Sequence, residues 1–365
     1  MLPKPEHCYS CVGYHWPPRG HGFVPADGTG RNGVLLVFEA AGEQEAREGR
    51  PLIGRAGLAF QQLLQRGRMV REEFRIHNIL SCRPPDNKLR GMPYEEEAIA
   101  HCKPFLDHTL QEKPWGCVVA GGEVALRALL PRVEGSLSQC RGYVFQDAQG
   151  RWVVPTFHPS HIARGQTHLA AVFIHDLQRA CEIARDGYHE VDLSHFLLDP
   201  PVVEAWRWLE RYEASDNQWW LSVDIETPRK RPDEEEQDEL EGTEPILRCG
   251  YAYGGGKAVM TLPWGGSYET IHRRLLASSR DKVMWNAPFD AGRLAAESYT
   301  VGGTGHDGMI AWHVLNGDLP KRLGFVATFY CPGLPMWKHL ARERPDFYNA
   351  CDVYATDCIM FGQQP

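Results

Sequence analysis

The sequence predicts two consecutive α/β domains. The chain has 365 residues, which is more than one typical domain needs. In both halves, short runs rich in β-branched and aromatic residues alternate with helical stretches, a pattern typical of parallel sheets covered by helices. The composition changes at about 187–202, an irregular stretch that contains Asp199-Pro200-Pro201. We therefore expect a first domain at 1–190, a linker with a helix at 191–215, and a second domain at 216–365.

The first domain is predicted to contain a parallel sheet with helices on both faces. Its strands are expected at 34–39, 74–80, 116–120 and 152–156, and its helices near 57–66, 93–110, 122–130 and 168–185. In such sheets the functional loops lie at the carboxyl ends of the strands. Glu39, Asn78, Gly121 and His158 all fall at such ends. This placement indicates one shared crevice.

The second domain repeats the alternation after a helix at about 202–213. Its strands are expected at 219–225, 246–253, 257–262 and 282–285, and its helices at 268–278, 289–297, 308–315 and 348–361. Residues 233–244 contain eight acidic residues between the first two of these strands. We interpret this run as a solvated loop, with an interaction tail as the alternative.

Charge and composition limit the classes of function. Residues 1–190 carry 22 Lys and Arg against 21 Asp and Glu, whereas residues 191–365 carry 17 against 26. Neither domain is globally basic, so nucleic-acid binding requires a local patch. The chain has no apolar run long enough to span a bilayer, and residues 1–8 lack the apolar segment of a signal peptide. We expect a cytoplasmic protein without a membrane partner.

Four of the eleven cysteines predict a metal centre. Cys8 and Cys11 have the tight spacing of metal ligands. Cys82 follows a predicted strand, and Cys102 lies twenty residues further along the chain. In a reducing compartment, cysteines serve as metal ligands or buried thiols rather than as disulfides. The alternative interpretation is that these four are scattered buried thiols.

Several ordered segments of the first half resemble the family 4 uracil-DNA glycosylases, which contain an iron–sulfur cluster. These segments are residues 38–45 (FEAAGEQE), 49–57 (GRPLIGRAG) and 76–85 (IHNILSCRPP), followed by Gly121-Gly122, Arg141-Gly142 and His158-Pro159-Ser160. The resemblance spans about 1–186 and implies a uracil-DNA glycosylase-like parallel-sheet sandwich that binds uracil-containing DNA. It also implies that Cys8, Cys11, Cys82 and Cys102 hold a [4Fe–4S] cluster. Zinc is the alternative, because four thiolates also suit that ion.

The chemistry of glycosidic cleavage explains the residue types that the resemblance implies. Negative charge builds on the departing base, so a donor near the uracil O2 lowers the barrier. His158 is the expected donor, Glu39 the carboxylate that positions the attacking water, and Asn78 the amide that reads the base edge. The other expected substrate contacts are Gly42, Leu52, Ser160 and two arginines on the phosphates, Arg141 and Arg164.

The sequence departs from the family pattern at two positions. The family has Pro where Ala41 stands, and a Phe that stacks on uracil where Leu52 stands. Stacking on an aromatic ring is worth ~1–3 kcal/mol per base, and leucine offers only an apolar face. These departures predict weaker activity or a different substrate. A related subfamily bonds covalently to DNA through a loop histidine, but residues 83–100 contain none and His77 lies in the preceding strand.

The second half resembles the DEDD-type 3′–5′ exonuclease domain of family A DNA polymerases, especially the phage-type versions. The segments that carry the resemblance are residues 222–227 (SVDIET), 286–290 (NAPFD), 306–313 (HDGMIAWH) and the pair Tyr348 and Asp352. A spacing of four places both side chains of that pair on one helical face. The resemblance implies a ribonuclease H-like fold. Two Mg²⁺ or Mn²⁺ ions would be held by Asp224, Glu226, Asp290 and Asp352, with Tyr348 orienting the attacking water.

These resemblances predict a DNA repair and replication enzyme that joins uracil excision to 3′–5′ exonuclease activity. Its expected setting is a bacterial or phage-infected cell, and its substrates are single-stranded DNA or 3′ ends. The polymerase that it would serve is a separate protein, unless the chain is part of a longer one. Three alternatives stay open: a non-catalytic iron–sulfur DNA-binding module fused to the exonuclease, a nucleotide-processing enzyme that acts on free dNTPs or RNA, and a scaffold with two degenerate sites.

Overall fold

The computed structural model describes residues 1–215, 220–228 and 244–363. The chain divides into two compact units, Met1–His189 and Glu190–Pro365. The predicted acidic loop lies outside the described residues except for Glu244. Within the described parts of the chain, every helix is too short or too polar to cross a membrane.

The first unit alternates strands and helices. Its strands are β1 (Leu2–Pro3), β2 (His21–Phe23), β3 (Val34–Ala40), β4 (Arg75–Leu80), β5 (Cys117–Gly121), β6 (Phe145–Gln146) and β7 (Trp152–Thr156). Its helices are α1 (Glu43–Glu48), α2 (Arg55–Arg66), α3 (Glu95–Gln111), α4 (Glu123–Leu129), α5 (Leu137–Cys140), α6 (Pro159–Ala163) and α7 (Ala170–Asp186). The predicted strands and long helices are all present.

The main sheet of the first unit has the order β4-β3-β5-β7-β6. Its first four strands are parallel, and β6 pairs antiparallel to β7. Phe38 of β3 packs edge-on against Phe60 of α2, with ring centroids 6.1 Å apart. On the opposite face, His77 of β4 contacts Thr109 of α3 at 2.9 Å. Because neighbouring side chains along a strand point to opposite faces, helices cover both sides of the sheet.

The second unit is also α/β. Its strands are β8 (Leu197–Leu198), β9 (Leu221–Glu226), β10 (Arg248–Tyr253), β11 (Ala258–Pro263), β12 (Lys282–Met284) and β13 (Gly305–Asp307). Its helices are α8 (Val202–Ala214), α9 (Glu269–Ala277), α10 (Ala287–Ala296), α11 (Gly308–Leu315), α12 (Leu323–Tyr330) and α13 (Pro345–Gly362). The segment predicted as a linker contains β8 and α8, which belong to this unit.

The sheet of the second unit has the order β13-β12-β9-β10-β11-β8. Strands β9, β10 and β11 form an antiparallel meander, and β12 and β13 run parallel to β9. This sheet and its helices form a second α/β unit, so the predicted class of two α/β domains is confirmed. On one face α13 packs on β9, where Asn349 donates to the Asp224 carboxylate at 2.7 Å. The other face carries a core shared with α8 and α9.

The elements that sequence patterns missed are short or lack a polar face. Helices α1, α5 and α6 span only one or two turns, too few for a helical period to be visible. Helix α12 is apolar on nearly all sides, so its sequence contains no amphipathic pattern. Strand β13 has three residues. The long, patterned elements were predictable because their buried faces repeat with the period of the secondary structure.

Candidate functional site

The cleft of the first unit lies at the carboxyl ends of β3, β4 and β7. Parallel pairing through β4, β3, β5 and β7 brings these ends to one edge of the sheet. The cleft has a volume of about 710 Å³. Seven of the predicted residues line it: Glu39, Gly42, Leu52, Asn78, His158, Ser160 and Arg164.

His158 is held as a neutral hydrogen-bond donor. It caps the N-terminus of α6, where its Nδ1 accepts a hydrogen bond from the backbone N–H of Ser160 at 3.0 Å. The Ser160 Oγ also lies 2.8 Å from this nitrogen. Because Nδ1 is an acceptor, the proton of the neutral ring is on Nε2. Burial, with a further effect of Arg164, lowers the pKa of His158 to about 4. Ser160 therefore sets the tautomer of the donor.

Glycines behind the ring allow His158 to pack closely. The His158 ring stands edge-on to Phe38, with centroids 5.2 Å apart and planes at 84°. A Cβ at Gly121 would lie 2.3 Å from the Phe38 ring, and a Cβ at Gly122 would lie 3.3 Å from the His158 Cβ. Real Cβ atoms do not approach ring carbons as closely as 2.3 Å, so position 121 requires glycine. This explains the Gly121-Gly122 segment.

Glu39 stands at the end of β3 in a charged setting. Burial and the nearby Glu95 raise the pKa of its carboxyl, while Arg164 and Arg90 lower it. The net shift is upward. Arg90 and Glu95 lie between Cys82 and Cys102, outside the segments that carry the family resemblance. Sequence reasoning therefore missed both of them.

Leu52 adopts a left-handed backbone conformation with φ 50°. This region is strained for leucine. Arg71 stabilises the conformation, because its guanidinium donates to the carbonyl oxygens of Pro51 at 2.6 Å and Leu52 at 3.1 Å. Asp27 accepts from the same guanidinium at 3.2 Å. The side chain of Leu52 is only 5% exposed, so it presents a small apolar surface to the cleft.

Glu45 fixes the loop that carries Gly42. Its side chain is buried and accepts from the backbone N–H of Gly54 at 3.0 Å. A Cβ at Gly42 would lie 2.4 Å from the Glu45 carboxylate, so a larger residue would displace that carboxylate. The close approach to Glu45 therefore favours glycine at position 42, in addition to the place of Gly42 in the cleft wall. Sequence reasoning assigned no role to Glu45, although it ends the segment 38–45, and did not name Arg71.

The prediction that Arg141 holds a phosphate is wrong. Its side chain is fully buried and forms a 2.9 Å ion pair with Asp176, which is also fully buried. Thr156 donates to the second oxygen of that carboxylate at 2.7 Å. A guanidinium enclosed in this way cannot reach DNA, whereas the exposed Arg164 lies on the cleft. The buried pair supports the strand end that precedes His158.

Replacing Arg141 with methionine should lower the free energy of unfolding by about 3–5 kcal/mol, because Asp176 would stay buried without its cation. Chemical denaturation of the full chain measures this change in the transition of the first unit. Arg185→Met is the control, since Arg185 pairs with Asp186 at the surface and such changes stay within about 0.5 kcal/mol. Equal stability of both variants, with DNA affinity lost only in Arg141→Met, would contradict the structural role.

The four predicted cysteine ligands line one buried pocket together with Lys4 and Gly13. Their exposed fractions range from 3% to 7%. The backbone N–H of Gly13 donates to the Cys11 Sγ at 3.3 Å, a contact that stabilises a thiolate. A Cβ at Gly13 would lie 3.3 Å from the Cys82 Sγ. Burial raises the pKa of Cys82 to about 12, so a thiolate there requires a bound cation. The donor set suits a metal or an iron–sulfur cluster.

The second unit gathers the predicted acidic residues at the end of β9. Carboxylate oxygens of Asp224, Glu226 and Asp352 all lie within 4.8 Å of one another. Asp224 and Glu226 come from β9, and Asp352 comes from α13. Burial and these neighbouring acids raise the pKa of Asp224 well above its ordinary range. Three converging carboxylates offer oxygen ligands, the donor type that Mg²⁺ and Mn²⁺ prefer.

Asp290 and Tyr348 flank this cluster. The Asp290 carboxylate accepts from the backbone N–H of Ile225 at 2.9 Å, and burial together with Asp224 raises the pKa of Asp290. It lies next to the three-carboxylate group rather than within it. Burial and Asp352 raise the pKa of the Tyr348 hydroxyl to about 12. Tyr348 therefore stays protonated at physiological pH.

Three residues around the acidic cluster escaped sequence reasoning. Asn349 is fully buried and donates to the Asp224 carboxylate at 2.7 Å. The indole N–H of Trp337 donates to Asp352 at 2.6 Å. The ammonium of Lys338 contacts both oxygens of Asp352, at 2.6 and 2.7 Å. Asn349 adjoins Tyr348 of the motif, but Trp337 and Lys338 lie at the start of a short 3₁₀ turn, outside every motif.

Comparison with known proteins identifies the first unit. The uracil-DNA glycosylase superfamily model matches residues 25–178. The type-4 uracil-DNA glycosylase of Thermotoga maritima is 33% identical over 158 residues, which cover 43% of this chain and 80% of that protein. The Sulfurisphaera tokodaii enzyme of the same name is 30% identical over 169 residues, 44% of this chain and 74% of that protein. The first unit is therefore a uracil-DNA glycosylase superfamily domain. Through it, the chain belongs to the type-4 uracil-DNA glycosylase family.

Two solved structures match about half of this chain at low similarity. One is titled as the apo form of a nuclease, with 12% identity and a TM-score of 0.33 over 46% of this chain and 78% of that chain. The other is the POL domain of Pol1 from M. smegmatis in complex with DNA primer-template and dNTP. It has 15% identity and a TM-score of 0.32 over 45% of this chain and 26% of that chain. TM-scores of this size do not establish a shared fold.

Proposed function

We propose that the chain releases uracil from DNA with its first unit and removes nucleotides from DNA 3′ ends with its second. The first activity rests on the convergence of Glu39, Asn78 and His158 on one cleft in a domain of the type-4 family. The second rests on the carboxylates of Asp224, Glu226 and Asp352 and on the motif resemblance to DEDD exonucleases. The corresponding units are Met1–His189 and Glu190–Pro365, with a separate DNA polymerase as the partner of the exonuclease.

In the first unit each side chain has one chemical task. The Asn78 amide can donate to and accept from the edge of an extruded base. The Nε2–H of His158 donates to the uracil O2, where negative charge develops as the bond to the sugar breaks. Glu39, when ionised, accepts a proton of the water that attacks the sugar. Leu52 gives the base an apolar contact, and the exposed Arg164 can bind a backbone phosphate.

The four cysteines of the first unit are proposed to hold a [4Fe–4S] cluster. A [4Fe–4S] cluster needs four thiolates, and Cys8, Cys11, Cys82 and Cys102 converge in one buried pocket. Bound there, the cluster supplies a cross-link between the N-terminal segment, the end of β4 and helix α3. Its role is structural, since the cleft is lined by other residues.

In the second unit the side chains are arranged for hydrolysis of a phosphodiester. Asp224, Glu226 and Asp352, with Asp290 beside them, would hold two Mg²⁺ or Mn²⁺ ions. Bound ions supply an activated water and charge for the leaving oxygen. The protonated hydroxyl of Tyr348 can orient that water.

The pH dependence of uracil release should depend on Glu39 rather than on His158. With a pKa of about 4, His158 stays neutral throughout pH 5–8 and contributes no change there. The pKa of Glu39 is raised, and the residue acts only when ionised, so activity should fall as the pH drops through that raised pKa. A pH–rate profile under single-turnover conditions checks this. Glu39→Gln should be slow and lack this acid limb. The ordinary pKa of histidine is about 6.5. A change in rate near that pH which is absent in His158→Gln would contradict the assignment of the pH dependence to Glu39.

Incubation with a 5′-labelled single-stranded oligonucleotide that contains one uracil tests both activities. In EDTA the nuclease is silent, and alkali should reveal one cut at the uracil that is lost in Glu39→Gln. Adding Mg²⁺ should produce a ladder from the 3′ end. Assays with RNA and with free dNTPs as substrates separate this proposal from an enzyme that processes free nucleotides or RNA.

Leu52 favours a second candidate for the first unit, a DNA-binding module without catalysis. Its buried side chain lacks the aromatic face that stacks on uracil in the family pattern. DNA binding with no cut in EDTA, together with a ladder in Mg²⁺, would establish this alternative.

A further inference from the structure

Lys338 places a positive charge in the acidic cluster of the second unit. Its ammonium lies 2.6 and 2.7 Å from the two oxygens of Asp352 and 3.1 Å from the Tyr348 hydroxyl. Asp352 is one of the three residues whose oxygens converge within 4.8 Å. The lysine therefore touches one of the proposed ion ligands and the proposed water-orienting group. None of the motifs that identified the cluster includes it.

The contacts of Asp352 leave little room for a further cation. One of its oxygens accepts from both the Trp337 indole and the Lys338 ammonium, and the other accepts from Lys338. A carboxylate offers about four lone-pair sites, and two cations on one carboxylate repel each other. A divalent ion that binds Asp352 must therefore take at least one of the oxygens that the ammonium holds.

The position of Lys338 would allow its ammonium to move away from Asp352. It begins the short 3₁₀ turn Lys338–Ala341, and its side chain is 35% exposed. A lysine ammonium is a point charge on a flexible stem and binds phosphate oxygens well. A DNA strand at the cluster would bring such oxygens within its reach.

We propose that Lys338 competes with the divalent ion for Asp352 in the DNA-free chain, and that a DNA phosphate draws its ammonium away. This inference rests on the proposed exonuclease activity. Its consequence is that ion and DNA bind cooperatively, because each removes the obstacle to the other. By thermodynamic linkage the factor by which DNA tightens ion binding equals the factor by which the ion tightens DNA binding.

The test is a Mn²⁺ titration of the full chain by electron paramagnetic resonance. It is done alone and with a single-stranded oligonucleotide whose 3′ linkages are phosphorothioates, to slow cleavage. In Lys338→Met, Mn²⁺ should bind the DNA-free chain more tightly, by roughly 5–150-fold, the usual range of such coupling. DNA should tighten Mn²⁺ binding in the wild type and much less in the variant. Cleavage of an ordinary oligonucleotide should nevertheless be slower in the variant, because the phosphate contact is lost.

The direction in which the Mn²⁺ affinity of the Lys338 variants changes separates competition from a role of Lys338 in positioning Asp352. Loss of a residue that merely held Asp352 in place would weaken Mn²⁺ binding. Lys257→Met is the matched control, because Lys257 is exposed in the same unit, and it should behave as the wild type. Lys338→Gln, which keeps a hydrogen-bond donor without the charge, should also bind Mn²⁺ more tightly and serves if the methionine variant does not fold.

Two results would overturn the inference in different ways. If the wild type degrades 3′ ends and the charge-removing variants bind Mn²⁺ equally or more weakly, the exonuclease stands and the competition is refuted. The other result is that the wild type does not degrade DNA and shows no Mn²⁺ binding that Asp224→Asn abolishes. In that case the proposed exonuclease fails, and the inference fails with it.

Discussion

Replacing His158 with alanine should slow uracil release by about 10²–10³-fold, the usual cost of losing one preorganised donor to a developing oxyanion. We expect a loss of rate this large because the hydrogen-bond donor, His158 Nε2–H, is held in place before the reaction begins. Its Nδ1 is tied to the Ser160 N–H, so Nε2 carries the proton. The neutral state holds at physiological pH because the pKa is about 4. Single-turnover release of uracil in EDTA, measured with the full chain, gives the rate.

The matched control for this variant is His161→Ala. His161 lies in α6, the helix that His158 caps, but is exposed, so its loss should leave the rate close to that of the wild type. His158→Ala should keep its affinity for a uracil-free oligonucleotide, because the proposed phosphate contact is Arg164. Release at the wild-type rate by His158→Ala would remove His158 from the reaction and favour the non-catalytic module.

Replacing Asp224 with asparagine should lower the rate of 3′-end degradation by at least about 10³-fold. Metal-bound charge contributes several kcal/mol to such a transition state, and each 1.36 kcal/mol is a factor of ten. Asp224 is central because one of its carboxylate oxygens lies within 4.8 Å of carboxylate oxygens of both Glu226 and Asp352. Asparagine has nearly the same shape, so the fold should persist. Gel analysis of a 5′-labelled strand in Mg²⁺ measures the loss.

Uracil release in EDTA by Asp224→Asn should equal that of the wild type, since Asp224 belongs to the other unit. Glu343→Gln is the control for a general change of charge, because Glu343 is an exposed acid near the start of α13. A residual Mg²⁺-dependent ladder of wild-type intensity in Asp224→Asn would place the nuclease activity at another site or in a contaminant.

The sequence by itself determined the class of fold and the positions of the main elements. Strand β3 was predictable because an apolar run ends sharply at Glu39, and helix α3 because its buried positions repeat with the helical period. Ordered motifs also predicted which residues meet: seven predicted positions line the cleft, and three predicted acids converge. These features are local, or belong to a family pattern that keeps its order along the chain.

Only the tertiary structure decided which polar side chains are exposed and which are paired. Arg141 and Arg164 look alike in sequence. In the structure Arg141 is buried and pairs with Asp176, which is 35 residues further along the chain. Asp224 accepts a hydrogen bond from Asn349, which is 125 residues away in sequence. Asp352 accepts hydrogen bonds from Lys338, which lies outside every motif. The state of a buried charged or hydrogen-bonding group depends on the partners that packing brings to it. Those partners are distant in sequence and follow no period, so residue patterns alone do not reveal them.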